Sequence, residues 1–88
     1  MSIYYTCTVE TTGIEYELVE EVFSKSFVVD GYHDSCSGIK MTGYMSSSPS
    51  IEKRFEAILK ELKDRAENAP IKFIFRDEDG DITIFSNP

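Results

Sequence analysis

The chain has 88 residues, with 9 basic against 16 acidic side chains and a formal net charge of −7. Hydrophobic residues make up 41% and charged residues 28%, which supports one packed domain over 1–88 and argues against global disorder. The length excludes a multidomain enzyme, and the negative balance opposes direct binding to nucleic acid.

Ile3, Tyr5, Cys7 and Val9 alternate with Tyr4, Thr6, Thr8 and Glu10. This period of two predicts a strand with one apolar face, ended by Thr11-Thr12-Gly13. Residues 1–13 have no basic start and no long apolar run, so no secretory signal is expected. No stretch approaches the roughly 18 apolar residues of a membrane span. The expectation is a cytoplasmic protein without a membrane partner.

Residues 14–26 fit two patterns. As a strand, Ile14, Tyr16 and Leu18 alternate until Glu20 breaks the period. As a helix, Tyr16, Leu18, Val19, Val22 and Phe23 share one side, opposite Glu17, Glu20, Glu21 and Ser24. Thr12 followed by Glu15 fits a capping box, and Lys25 suits the negative end of a helix dipole. Helix is preferred over strand.

Phe27-Val28-Val29 is a β-prone run expected to stop at Asp30-Gly31, and 30–38 is turn-rich and expected to be a loop. In residues 39–45, Ile39, Met41, Gly43 and Met45 alternate loosely, with Gly43 marking a bulge or a close backbone approach. A helix follows. Ser48 can cap it and Pro49 suits its first position. Ile51, Phe55, Ile58, Leu59, Leu62 and Ala66 form one apolar stripe. Glu56 with Lys60, and Glu61 with Arg65, are spaced to pair on the other face. Asn68 and Pro70 end it. The C-terminus reads as a hairpin: Ile71, Phe73 and Phe75 alternate, Asp77-Glu78-Asp79-Gly80 turns, and Ile82 and Ile84 alternate with Thr83 and Phe85.

The element order βαββαββ predicts an α+β fold. A small antiparallel-rich sheet of about five strands carries both helices on one face, in a ferredoxin-like order with an added edge strand. The other face is then open. If Ile3, Tyr5, Phe73, Phe75, Ile82 and Ile84 face the helices, Tyr4, Ile74 and Phe85 face away and form an exposed apolar surface.

The chemical candidates are sparse. His33, the single histidine, lies with Asp34 and Cys36 in one local segment. That spacing does not resemble a triad, which is assembled from separate parts of a fold. Cys7, Cys36 and His33 give too few ligands for a structural zinc site. Cys7 and Cys36 read as reduced thiols, with a single bridge as the alternative. Asp77, Asp79 and Asp81 lack the glycine and glutamate positions of a calcium loop. No catalytic residue, metal or cofactor is expected.

The stretch IKFIFRDEDGDITIF (71–85) locally resembles the acidic motif of the Phox–Bem family, through Asp77, Glu78, Asp79 and Asp81 after Phe75. The likeness covers about one sixth of the chain. It implies one use for such a turn, presenting carboxylates to a basic partner. Charge geography agrees, since residues 1–52 hold 8 acids against 2 bases while 53–88 hold 8 against 7. A stripe of Glu17, Glu20 and Glu21 attracts basic surfaces and can imitate phosphates. The expectation is a non-catalytic binding protein that docks on, and inhibits, a basic and nucleic-acid-binding protein partner, as immunity or phage-type antagonist proteins do. The contacts expected are Glu17, Glu20, Glu21, Asp77, Glu78, Asp79, Asp81, Tyr4, Ile74 and Phe85. The alternative is a self-associating or adaptor-type module that uses the 77–81 turn and the open sheet face.

Overall fold

A computed structural model describes residues 3–11, 13–35, 38–46, 50–66 and 70–87, the side chains of 34, 35 and 87 aside. Within them run β1 (Ile3–Thr11), α1 (Tyr16–Phe23), β2 (Val28–Ser35), β3 (Gly38–Met45), α2 (Ile51–Arg65), β4 (Ile71–Asp77) and β5 (Ile82–Asn87). The strands form one antiparallel sheet in the order β2-β3-β1-β4-β5. The fold is α+β, with both helices packed on the same face of the sheet.

Strand alternation decides which side chains meet the helices. Tyr5, Cys7 and Val9 of β1 share the inner face with Met41 and Met45 of β3 and with Ile71, Phe73 and Phe75 of β4, and all are buried. The helices add Val19, Val22, Phe23, Phe55, Ile58 and Leu62. Aromatic rings fill the centre. Phe23 stacks on Phe27 with centroids 4.6 Å apart, and Phe55 lies against Phe23, Phe27, Phe73 and Phe75 within 6.0 Å. Such pairs add roughly 0.5–1.5 kcal/mol each beyond the area they bury.

Arg54 is a charged side chain inside this core, 5% exposed. Its guanidinium donates to the carbonyl oxygens of Ser26 and Ser46 and to Ser46 Oγ, and lies 5.3 Å from the centre of the Phe27 ring. It ties α2 to the end of β3 and to the connection between α1 and β2. Spacing on the helix alone puts Arg54 beside the apolar stripe and says nothing of these carbonyls.

Several expectations need correction. Residues 30–35 are not a loop, because β2 runs to Ser35 and pairs with β3 along its length. The apparent stop at Asp30-Gly31 is a register shift between Val29 and Gly31, a bulge that inserts one residue and lets pairing resume. Tyr32 anchors the strand from the helix side, its ring 4.8 Å from that of Tyr16 on α1. Gly43 does mark a close backbone approach. A Cβ there would sit 1.8 Å from the Val28 carbonyl oxygen, which also accepts from the Tyr5 hydroxyl at 2.8 Å.

Helix boundaries also move. α1 begins at Tyr16 with Glu15 as its N-cap residue and no side-chain cap bond, so Glu15 does not complete a capping box; Thr12 lies outside the described residues. Lys25 falls beyond the last helical turn and pairs instead with Glu61. α2 begins at Ile51, where the Ser50 side chain accepts from the Lys53 N–H; Ser48, Pro49 and Asn68 lie outside the described residues, as does Cys36.

The largest correction concerns β5. Pairing with β4 sets Phe85 opposite Phe73 and Ile84 opposite Ile74. Phe85 therefore faces the helices and stacks on Phe55 at 4.2 Å, while Ile82 and Ile84 face away and are 54% and 56% exposed. Two branched aliphatics at alternate positions look like a buried face, but the register follows from where the hairpin turns. Phe85→Ala is expected to lower stability in urea unfolding by about 2 kcal/mol or more, and Ile84→Ala by no more than about 0.5 kcal/mol. The opposite ranking would contradict this register.

Candidate functional site

Three surface regions carry the residues singled out by sequence. The first is the outer side of α1. Its buried side chains are Val19, Val22 and Phe23, which leaves Glu17, Glu20 and Glu21 on the solvent side around a shallow depression shared with Ser24. α1 contains no base. Glu21 is met by Arg65 of α2, which also lies 3.3 Å from Glu61. Lys25, hydrogen-bonded to Glu61 at 2.7 Å, and then Arg65 hold the Glu61 carboxyl below its usual range. Among the described residues Glu17 and Glu20 make no ion pair.

The second region is the β4–β5 turn. Asp77 accepts the N–H groups of Asp79 and Asp81 at 3.0 Å each through one carboxylate oxygen. Gly80 supplies the positive φ, 89°, that this tight turn needs. Asp77 is therefore committed to building the turn, which presents Glu78, Asp79 and Asp81 to solvent. The turn hangs from the β5 edge of the sheet, whereas α1 crosses from β1 toward the opposite edge. The structure thus separates the two acidic clusters.

The third region is the face of the sheet that no helix covers. Tyr4 and Ile74 lie on it, Tyr4 being 55% exposed; Phe85 does not, for the reason given above. Ile82 and Ile84 take its place. Ile74 pairs with Ile84 and Arg76 with Ile82, so three isoleucines and one arginine share this corner of the face. On the other side of the central strand, Tyr4 pairs with Tyr44, their hydroxyls 2.7 Å apart and ring centroids 4.4 Å apart. Between them lie Thr6, Thr8 and Thr42, with Lys40 opposite Thr8 and His33 opposite Lys40. Lys72 closes this face opposite Glu10.

Sequence patterning missed Tyr44, Lys40, Arg76, Ile82 and Ile84 as members of this surface. Each joins it through cross-strand register, a tertiary relation. The parity of β5 against Phe73 is the signal that would have found the two isoleucines.

Cys7 and the hydroxyls of Tyr5 and Tyr16 are turned inward. Burial pushes the Cys7 thiol well above its ordinary pKa, and does the same to Tyr5, helped by Cys7, Asp30 and Tyr16. Tyr16 is pushed up to about 12, by burial first and then by Glu20. Cys7 sits in the core and His33 on the outward face of an edge strand, so the two do not meet. Among the described residues no cluster of His, Cys, Asp or Glu is arranged to hold a metal, and no helix is long and apolar enough to cross a membrane.

The chain matches no family model, and comparison with curated proteins and with solved structures returns no significant match. The likeness of 71–85 to the Phox–Bem acidic motif therefore establishes no membership, and the ferredoxin-like name expected from element order is not established by a structural relative.

The raised values fix a pH dependence. Cys7, Tyr5 and Tyr16 stay protonated in the folded chain at pH values where the unfolded chain ionises. The unfolded state then binds fewer protons, so stability is fully present below about pH 9 and declines as pH rises past the ordinary thiol and phenol values. The urea midpoint is expected to hold to about pH 9 and fall above it, with Cys7→Ala delaying the onset toward about pH 10. A midpoint unchanged through pH 11 would contradict the burial of these groups.

Proposed function

We propose that this protein is a non-catalytic binding protein that docks the acidic outer side of α1 on a basic site of a protein partner and occludes it. The observation that carries this is Glu17, Glu20 and Glu21 side by side on an exposed helix face that contains no base. Residues three and four positions apart on a helix have Cβ atoms about 5–6 Å apart, so the three carboxylates share one face. Such a row suits a surface that otherwise receives phosphates, which is how an immunity protein or phage-type antagonist would block a nucleic-acid-binding protein. Glu78, Asp79 and Asp81, placed elsewhere, add long-range attraction rather than contacts in the same footprint. Cytoplasmic residence belongs to the same proposal.

The burial of Cys7 and its distance from His33 favour binding over bond-making. The proposal is tested by capture from source cells, comparing the tagged protein with Glu17→Gln/Glu20→Gln/Glu21→Gln. The wild type is expected to retain a basic protein whose association slows as salt rises, because exposed charges beyond a Debye length of about 8 Å are screened. The triple variant, folded by circular dichroism, is expected to lose it. A partner held equally by the triple variant, or with salt-independent affinity, contradicts electrostatic docking.

A further inference from the structure

The uncovered sheet face has the opposite charge to the chain as a whole. Lys40, Lys72 and Arg76 stand on it against Glu10, with Asp30 of the β2 bulge at its edge near Tyr44. Glu10 lies opposite Lys72 at the end of the sheet, which leaves Lys40 and Arg76 without an opposing carboxylate across the strands. Among the described residues neither makes an ion pair. Arg76 also stands in register with Ile74, Ile82 and Ile84, an aliphatic strip at the β5 side of the face, while Val28 is exposed at its β2 side.

We propose that this face is a second docking surface, and that its partner is a protein segment carrying apolar side chains flanked by carboxylates. The apolar side chains cover the isoleucine strip, and the carboxylates meet Arg76 and Lys40. A cation taken out of water needs a charged partner, because an uncompensated buried charge costs several kcal/mol. Any surface that covers the isoleucines must also shield Arg76, so charge complementarity requires an acidic partner. Five strands spaced about 4.8 Å span about 19 Å, room for one helix of about 10–12 Å diameter across the strip. At the margin, a hollow of about 360 Å³ lined by Gly31, Tyr32, His33, Lys40 and Thr42 offers space for a side chain.

Two other occupants fit less well. A second copy packed face to face would set Lys40, Lys72 and Arg76 against the same cations with one Glu10 from each copy. A single nucleic-acid strand gains affinity by stacking bases on free aromatic planes along a basic groove. Here Tyr4 and Tyr44 lean on each other, isoleucine offers no such plane, and −7 repels a polyanion. The proposal is independent of the α1 surface, and Glu17→Gln/Glu20→Gln/Glu21→Gln should leave it intact.

The probe is a displayed library of random peptides selected on the folded protein, with enriched peptides then synthesised and titrated. Enrichment of sequences that combine aspartate or glutamate with aliphatic residues is expected. Their amide-shift footprint should fall on residues 4–8, 40–44, 74–76 and 82–84. Lys40→Glu/Arg76→Glu should weaken them about tenfold or more, and Lys63→Glu on α2 should not. If the charge-reversed pair does not fold, Lys40→Gln/Arg76→Gln takes its place, with a smaller loss. Basic or uncharged enriched peptides, no enrichment, or affinity indifferent to both variants would overturn the proposal. So would tighter binding of oligothymidylate to the same residues, or dimerisation through them in analytical ultracentrifugation.

Discussion

The molecule is organised by an aromatic cluster on one side of its sheet. Phe73 and Phe75 project from β4, Tyr5 from β1 and Phe85 from β5, and Phe55 of α2 packs among these rings while Phe23 brings in α1. Rings of this size bury more area than any other side chains and prefer offset or tilted contact at 4.5–7 Å. They draw both helices to one side, because each helix has an apolar stripe to hide and the rings are all on that side. A small chain has apolar material for one core only. The bare face of the sheet follows from the same placement.

That asymmetry sorts the charges. Helix α1, lying over the core, turns Glu17, Glu20 and Glu21 to solvent. α2 supplies Lys25 and α1 with partners through Glu61 and Arg65, a latch between the helices that leaves Glu17 and Glu20 unneutralised. The hairpin turn holds the remaining dense acidity at one edge of the sheet. The bare face receives Lys40, Lys72 and Arg76 by strand alternation. A chain with a large negative balance thus has an acidic face on α1 and, across the sheet, a face of mixed apolar and cationic character.

Much of the fold was legible where one signal dominated. β1 and β4 alternate cleanly, so Tyr4 and Ile74 were correctly placed on the bare face. α2 has a long stripe, and Ile58 and Leu62 are buried within it. The failures share a cause, since each depends on which strand lies beside which. Asp30-Gly31 has the composition of a turn, and only pairing with β3 turns it into a bulge inside β2. Ile82 and Ile84 have the composition of a core, and only pairing with β4 turns them outward. Arg54 is buried because two carbonyl oxygens from distant segments converge on it. Of the candidate site, the α1 stripe was readable because helical spacing is local. The cationic face was not, since Lys40, Arg76 and Tyr44 become neighbours of Tyr4 and Ile74 only through the sheet.

The separation of charge between the two sides is most directly measured by paramagnetic relaxation of the folded protein with an anionic and then a cationic soluble nitroxide. The methyl groups of Ile74, Ile82 and Ile84 should relax more strongly with the anionic probe, and the amides of Glu17, Glu20 and Glu21 with the cationic one. Isoleucine methyls that neither probe reaches, or the same preference on both sides, would show that the bare, positive face described above does not exist.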